Sequence, residues 1–180
     1  MKLILILVLI LVFIVTSLLA NVDTSLHELQ TLSPTQKQIM LKTFSKGKKY
    51  DLEYTLTAIC WEESQFGKYL VNISDPSFGY FHNSIKTIQH RYRSNNWNTS
   101  RLAERLIFDF DFGFEQALIE LKFWQNVYKD KPLSWSNTVK SYNAGFNNIN
   151  GVRYLEQIKI KIKALRKYFE LNKNNITVNK

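Results

Sequence analysis

The chain has 180 residues, a formal net charge of +9, 45% hydrophobic and 22% charged residues, and a single cysteine, Cys60. That size and balance fit one globular domain and exclude a disordered chain; one cysteine excludes an internal disulfide, and the isolated His27, His82 and His90 leave no metal-ligand spacing. Aromatic residues are plentiful while Gly and Pro are sparse, which favours helices over a turn-rich β architecture.

Residues 1–20 stand apart. Met1-Lys2 precedes a nearly unbroken run of Leu, Ile, Val and Phe up to Leu19, and Ala20 supplies a small residue for cleavage. The run reads as a signal peptide, or as a retained anchor of nearly bilayer-spanning length. Either reading exports residues 21–180 to the periplasm or to the periplasmic face of the inner membrane. A chain of that length buries about 70% of its unfolded surface, so its core suffices without staples. The basic balance suits an anionic partner or a merely solvated surface; export makes nucleic acid an unsuitable partner.

Residues 21–31 read as a linker or arm. Ser33-Pro34 starts a helix, with Ser as N-cap and Pro in the first turn, and Gly47 ends it. Ile39, Met40 and Phe44 face the core. Asp51 is expected to cap a second helix reaching about Phe66, followed by Gly67. Asn72–Asn83 is rich in turn residues and reads as a loop, though Phe78, Tyr80 and Phe81 are unusual in a connector. A helix is expected over 84–93, a polar loop over 95–100, and a helix from Arg101 capped by Ser100. Phe112–Tyr128 carries Ala117, Leu121, Trp124 and Tyr128 at helical spacing. After Pro132 a short helix runs from Ser134 or Ser136 to Gly145, then a loop to Gly151. The last helix, Val152 to about Leu171, puts Leu155, Ile158, Ile162, Leu165 and Phe169 on one face and many lysines on the other. The tail beyond it is polar. No run of alternating strand residues stands out, so the fold class is all-α with six to eight helices.

Chemistry enters at Glu62-Glu63. With Ile59 as zero on a helix of ~100° per residue, Leu52, Leu56 and Phe66 fall within about 60° of it, forming an apolar stripe. Glu63 falls at about 40°, inside the stripe, and Glu62 at about −60°, on its edge. Glu62 can swing to water. A carboxylate on an apolar stripe must find partners or hold its proton more tightly, and the second state is what a general acid requires. The plainer alternative is a Glu63 paired with a buried cation or capping another helix. Cys60 reads as a small core residue. Asp75 is the nearest candidate for a second carboxylate, which a two-carboxylate glycosidase would need. There is no nucleophile elbow and no phosphate-binding Gly-rich loop.

Glu63-Ser64-Gln65-Phe66 resembles the E-S-x-F motif of the SLT-type lytic transglycosylases, relatives of goose-type lysozyme. Gly79-Tyr80-Phe81-His82 stands where that family has G-L-M-Q, and Thr87 where a P-x-T threonine follows. Ser141-Tyr142-Asn143-Ala144-Gly145 is close to A-Y-N-A-G, Asp109–Leu121 is similar to the intervening segment, and Tyr154-Leu155 resembles a closing Tyr-Val or Tyr-Leu element. The motifs occur in family order within residues 50–165. His82 and the Pro76-Ser77-Phe78 segment depart from the pattern.

The resemblance implies a lysozyme-like domain over residues 21–180 that cleaves the β-1,4 bond between N-acetylmuramic acid and N-acetylglucosamine in peptidoglycan, leaving a 1,6-anhydro end. Glu63 would be the single catalytic acid and base. Ser64, Ser74, Gly79, Tyr80, His82, Tyr142, Asn143 and Tyr154 would be the residues around substrate, with Ser64 also fixing the nearby loop and Tyr154 orienting Glu63. No metal or organic cofactor is implied. Glycan strands are the expected partner, with a secretion or other envelope-spanning apparatus as a context; the membrane enters only through an uncleaved N-terminal segment. The alternatives are a hydrolytic muramidase on the same fold and a non-catalytic wall-binding or assembly protein.

Overall fold

The computed structural model of the chain describes residue 6, residues 20–93 and residues 96–173. Apart from residues 6 and 20, the expected signal or anchor lies outside the described residues, as does the tail beyond 173. Helices dominate, as expected. Among the described residues, none of them is long and apolar enough to cross a membrane.

The chain forms two compact units. The smaller comprises residues 1–32 and 159–180. Its helix α1 covers residues 20–30, which corrects the linker expectation. Val22, Leu26 and Leu29 sit at helical spacing, and the latter two are buried; the polar residues between them masked that pattern. Lys167 Nζ pairs with Asp23 Oδ1 at 2.9 Å, joining the two chain segments of this unit.

The larger unit, Ser33–Ile158, carries the candidate site. Helix α2, Pro34–Gly47, opens with a complete capping box. Ser33 Oγ accepts from the Gln36 amide at 3.3 Å, and Gln36 Oε1 accepts from the Ser33 amide at 3.1 Å. Such a cap contributes about 1 kcal/mol. Gln36 Nε2 also donates to the Gln65 carbonyl at 2.9 Å, so the start of α2 pins the end of the next helix. That helix, α3 (Glu53–Ser64), packs so closely on α2 that a Cβ on Gly47 would fall 2.6 Å from the Glu53 Cα.

Asp51 does not cap α3. It adopts a left-handed φ of +56° at the end of the short 3₁₀ turn Lys48–Tyr50, and Leu52 occupies the N-cap without a side-chain hydrogen bond. Nor is α3 amphipathic. Thr55 through Trp61 are all buried, so this is a central helix, wrapped on every side. Its ends emerge partly, with Glu53 and Tyr54 half-buried at the start and Glu62 and Glu63 in the last turn. Phe66 then buries against Trp61, ring centroids 5.9 Å apart and stacked.

The stretch expected to be a plain loop holds a small antiparallel sheet in the order β1-β2-β3: Val71–Asn72, Ser77–Phe78 and Asn83–Ser84. Val71 faces Phe78 and Ser77 faces Ser84. Strands of two residues show no alternation, which is why the sequence pattern concealed them. Helix α4, Ile85–Tyr92, follows directly. Helix α5 spans Asn96–Phe108, so Ser100 lies inside it and is no cap. Ile85, Ile88, Leu102, Leu106 and Phe112 form a core cluster beneath β2, with Phe78 packed against it.

Helix α6, Phe110–Val127, starts two residues earlier than expected because Asp109 is its N-cap, accepting from the Phe112 amide at 3.0 Å. Phe110 and Phe114 on α6 meet Phe81 from the sheet region at 6.0 and 5.9 Å. Helix α7 is Ser134–Ala144, ending at Gly145 as read, and the following loop contains the 3₁₀ turn Asn148–Gly151. Helix α8 is Val152–Leu171, as read from its periodicity, and enters the larger unit with its residues up to Ile158.

Candidate active site

Glu63 stands one residue before the end of α3, where the buried helix reaches a cavity of about 160 Å³. Its side chain is 16% exposed. The α3 chain then turns abruptly: Gln65, Phe66 and Gly67 take φ values of +49°, +56° and +90°. Three successive left-handed residues are costly for non-glycines, and burial of Phe66 and the Gln36–Gln65 hydrogen bond hold them. Ser64 completes the fixation. It is fully buried; its hydroxyl lies 2.8 Å from the Tyr80 carbonyl and 3.1 Å from that of Cys60, and accepts from the Gly67 amide at 2.9 Å. Ser64 therefore fastens the helix end to the sheet region and does not line the cavity.

The two oxygens of Glu63 have different partners. Oε1 accepts from the Tyr154 hydroxyl of α8 at 2.7 Å. Oε2 faces His82 Nδ1 at 3.4 Å. Burial, reinforced by the Glu63 charge, keeps the Tyr154 phenol protonated well above its usual range, so it is a constant donor. The carboxylate thus meets its desolvation by finding partners, neither of which is a permanent cation. The plainer alternative, a buried Lys or Arg against Glu63, is not what these two contacts are. Glu62, expected at the surface, is half-buried beside it and outside the cavity lining.

The remaining walls come from the sheet and from α4, α6 and α7. Asn72, Asp75, Ser77, His82, Asn83, Thr87, Tyr142 and Asn143 all face the cavity. Tyr142 donates to the Phe81 carbonyl at 3.1 Å, and so holds the residue that precedes His82. Ser74 lies in the β1–β2 turn, donating to Asn72 Oδ1 at 2.8 Å; it supports the lip rather than the lining. Gly79 is a structural requirement. Its φ is +81°, its amide donates to the Leu70 carbonyl at 2.8 Å, and a Cβ there would fall 2.1 Å from the Leu106 carbonyl oxygen. Tyr80 packs edge-on against Phe110 and offers its carbonyl to Ser64, also away from the cavity lining. Of the expected residues, the structure brings Glu63, His82, Tyr142, Asn143 and Tyr154 together, and gives Ser64, Ser74, Gly79 and Tyr80 supporting positions.

Sequence reasoning missed the far wall. Arg91 on α4 donates to Gln116 Oε1 at 2.7 Å and to Glu120 Oε2 at 3.0 Å. Trp124 Nε1 donates to Glu120 Oε1 at 2.8 Å, and Gln116 Nε2 to the Tyr92 hydroxyl at 3.0 Å. Gln116, Glu120 and Trp124 recur at helical spacing on the half of α6 that reads as core, and two polar residues in that pattern were the available signal. Cys60 is fully buried, and burial pushes its thiol up to about 12, so it remains an inert core thiol. Among the described residues, no group of three His, Cys, Asp or Glu side chains is placed to hold a metal.

The arrangement can move a proton. It offers a half-buried carboxylate, a phenol that only donates, and an imidazole that can take or give. Its volume is below the roughly 300–1,000 Å³ of enclosing small-molecule pockets, so it admits part of a ligand rather than the whole. No protein-family model, curated protein or solved structure matches this chain.

Proposed function

We propose that the protein is an exported peptidoglycan lytic transglycosylase with a lysozyme-like fold, using Glu63 as its single acid and base. The observation that carries this reading is the placement of Glu63 at a cavity wall, held by the Tyr154 hydroxyl and facing an imidazole, neither of which is a permanent cation. The resemblance of Glu63–Phe66 and Ser141–Gly145 to the family's motifs supports it from the sequence. Glu63 lines one cavity with Tyr142 and Asn143, which lie far from it in the chain.

In the proposed reaction a glycan strand lies across the cavity. Glu63 gives its proton to the glycosidic oxygen as the bond to C1 of the muramoyl residue breaks. The resulting carboxylate then takes the proton of the same residue's C6 hydroxyl, whose oxygen closes onto C1. The products are a free hydroxyl on the departing strand and a 1,6-anhydro end, and Glu63 regains its proton without water. Tyr154 steadies Glu63 in both states, because a hydroxyl can donate to a carboxylate and to the carbonyl oxygen of a carboxylic acid.

A hydrolytic muramidase is the second reading, and Asp75 on the same cavity favours it, since a second carboxylate can activate water. Mass spectrometry of the muropeptides released by the exported domain separates the two: anhydro ends support the transglycosylase, reducing ends the hydrolase. Binding to peptidoglycan without release of either product sinks both and leaves a wall-binding or assembly role. The site needs no metal or organic cofactor for this reaction.

A further inference from the structure

His82 adopts a strained backbone to reach Glu63. Its φ is +42°, in the left-handed region that costs a side-chain-bearing residue about 1–2 kcal/mol. The turn is held from both sides: Phe81 is fully buried with its carbonyl on Tyr142, and Gly79 accepts the His82 amide at 3.3 Å. The strain is spent on aiming the imidazole.

The ring's two nitrogens have fixed roles. Nε2 lies 2.9 Å from the Tyr69 carbonyl oxygen. A carbonyl only accepts, so Nε2 carries a hydrogen. A neutral ring then presents a bare Nδ1 to Glu63 Oε2, 3.4 Å away. A bare nitrogen facing a carboxylate is repulsive; one proton between them makes the contact attractive. That proton sits either on Glu63, donated to Nδ1, or on His82, donated to the carboxylate. Both forms hold the same number of protons, and Tyr154 already occupies the other carboxylate oxygen.

We propose that Glu63 and His82 share one proton as a dyad, with the Tyr69 carbonyl fixing the tautomer, and that His82 is the positioning residue that keeps this proton within reach of Glu63. The role in turnover rests on Glu63 being the acid and base; the shared proton does not. The other titratable or charged groups around the cavity are Asp75, Arg91, Glu120 and Tyr142, with Tyr154 behind Glu63. Arg91 and Glu120 neutralise each other at 3.0 Å, and burial keeps both tyrosines protonated. Burial works against charge on His82, but the hydrogen bond to Glu63, the Tyr69 carbonyl and the Glu63 charge outweigh it, so the ring holds its proton above the usual 6.5. The stability this proton contributes is fully present below the unfolded value of 6.5 and is lost as pH rises through the raised folded value.

The first test is an NMR titration of the His82 ring nitrogens in the full chain, with and without Glu63→Gln. The expected result is an Nε2–H tautomer at high pH, a midpoint above 6.5 in the parent protein, and a lower midpoint in the variant, because a Gln amide donates to Nδ1 and favours the neutral ring. Equal midpoints, or an Nδ1–H tautomer, overturn the dyad. The second test is the pH profile of glycan cleavage for His82→Asn and His82→Gln, with thermal melts to verify folding. The alkaline limb is expected to move toward acid, with about a ten-fold loss at neutral pH that shrinks at pH 5. A pH-independent loss in both variants means His82 only shapes the turn. A parent protein that passes the titration but cleaves nothing at any pH keeps the dyad and removes the proposed reaction.

Discussion

Glu63 and Glu120 line the same cavity, and their partners give them opposite chemistry. Glu120 takes a guanidinium on one oxygen and an indole N–H on the other. Arg91 keeps its charge at any ordinary pH, so Glu120 is committed to an ion pair and acts as a brace between α4 and α6. Glu63 takes a phenol and an imidazole. Neither fixes its charge, and one can exchange a proton with it. Position in a cleft does not make a carboxylate chemically available; the set of partners does.

Substitutions can break or sharpen this contrast. The largest expected effect is that of Glu63→Gln, which keeps an oxygen for Tyr154 but has no proton to give. Cleavage of purified peptidoglycan should fall by about a thousand-fold, within the range for a lost general acid or base, with little change in melting temperature. An equally active variant removes Glu63 from the chemistry. Tyr154→Phe should be next, losing about ten- to one hundred-fold in kcat/KM, because a hydrogen bond to a charged group is worth about 1.5–3 kcal/mol. Loss of stability without loss of rate would make Tyr154 a packing residue.

Glu120→Gln should behave in the reverse way. It removes the charge opposite Arg91 and leaves one acceptor oxygen for Arg91 and Trp124 together, so denaturant melts should show about 1–3 kcal/mol of destabilisation, while cleavage by the remaining folded protein falls far less than for Glu63→Gln. Asp111→Asn is the smallest case. Asp111 on α6 pairs with Lys42 and Lys46 of α2 at 3.1 and 3.0 Å, but is 56% exposed. The hydrogen bond from Lys46 holds its carboxyl below the ordinary range; slight burial opposes this, and Lys42 adds to it. Any contribution is present above the unfolded value of 3.8 and is lost as pH falls through the lower folded one. Solvent screening should keep it under about 1 kcal/mol in chemical denaturation, and salt should erase it.

Much of the fold is legible without coordinates where local rules suffice. Ser33-Pro34 and Gly47 bound α2 as read, and the spacing of Leu155, Ile158 and Leu165 marks α8. Local signals also misled. Asp51 and Ser100 look like caps, but one turns left-handed before α3 and the other lies inside α5. The 20–30 helix hid behind polar residues, and the sheet's two-residue strands are too short to carry a period. Helical spacing puts Glu63 on an apolar stripe, whereas α3 is buried on all sides along Thr55–Trp61 and reaches the cavity only through Glu63 in its last turn.

The sequence by itself determined that the chain is helical, where most helices start and stop, and that Glu63 is the carboxylate needing explanation, because propensity, capping and periodicity act over a few residues. The resemblance already pointed to Tyr154, 91 residues away, as the residue that orients Glu63; only the tertiary structure decided that His82, with its tautomer set by the Tyr69 carbonyl, is the second partner. It alone paired Glu120 with Arg91 across 29 residues of chain. The reason is physical: which atom holds a proton depends on distances of a few ångströms through space, and those are fixed by packing.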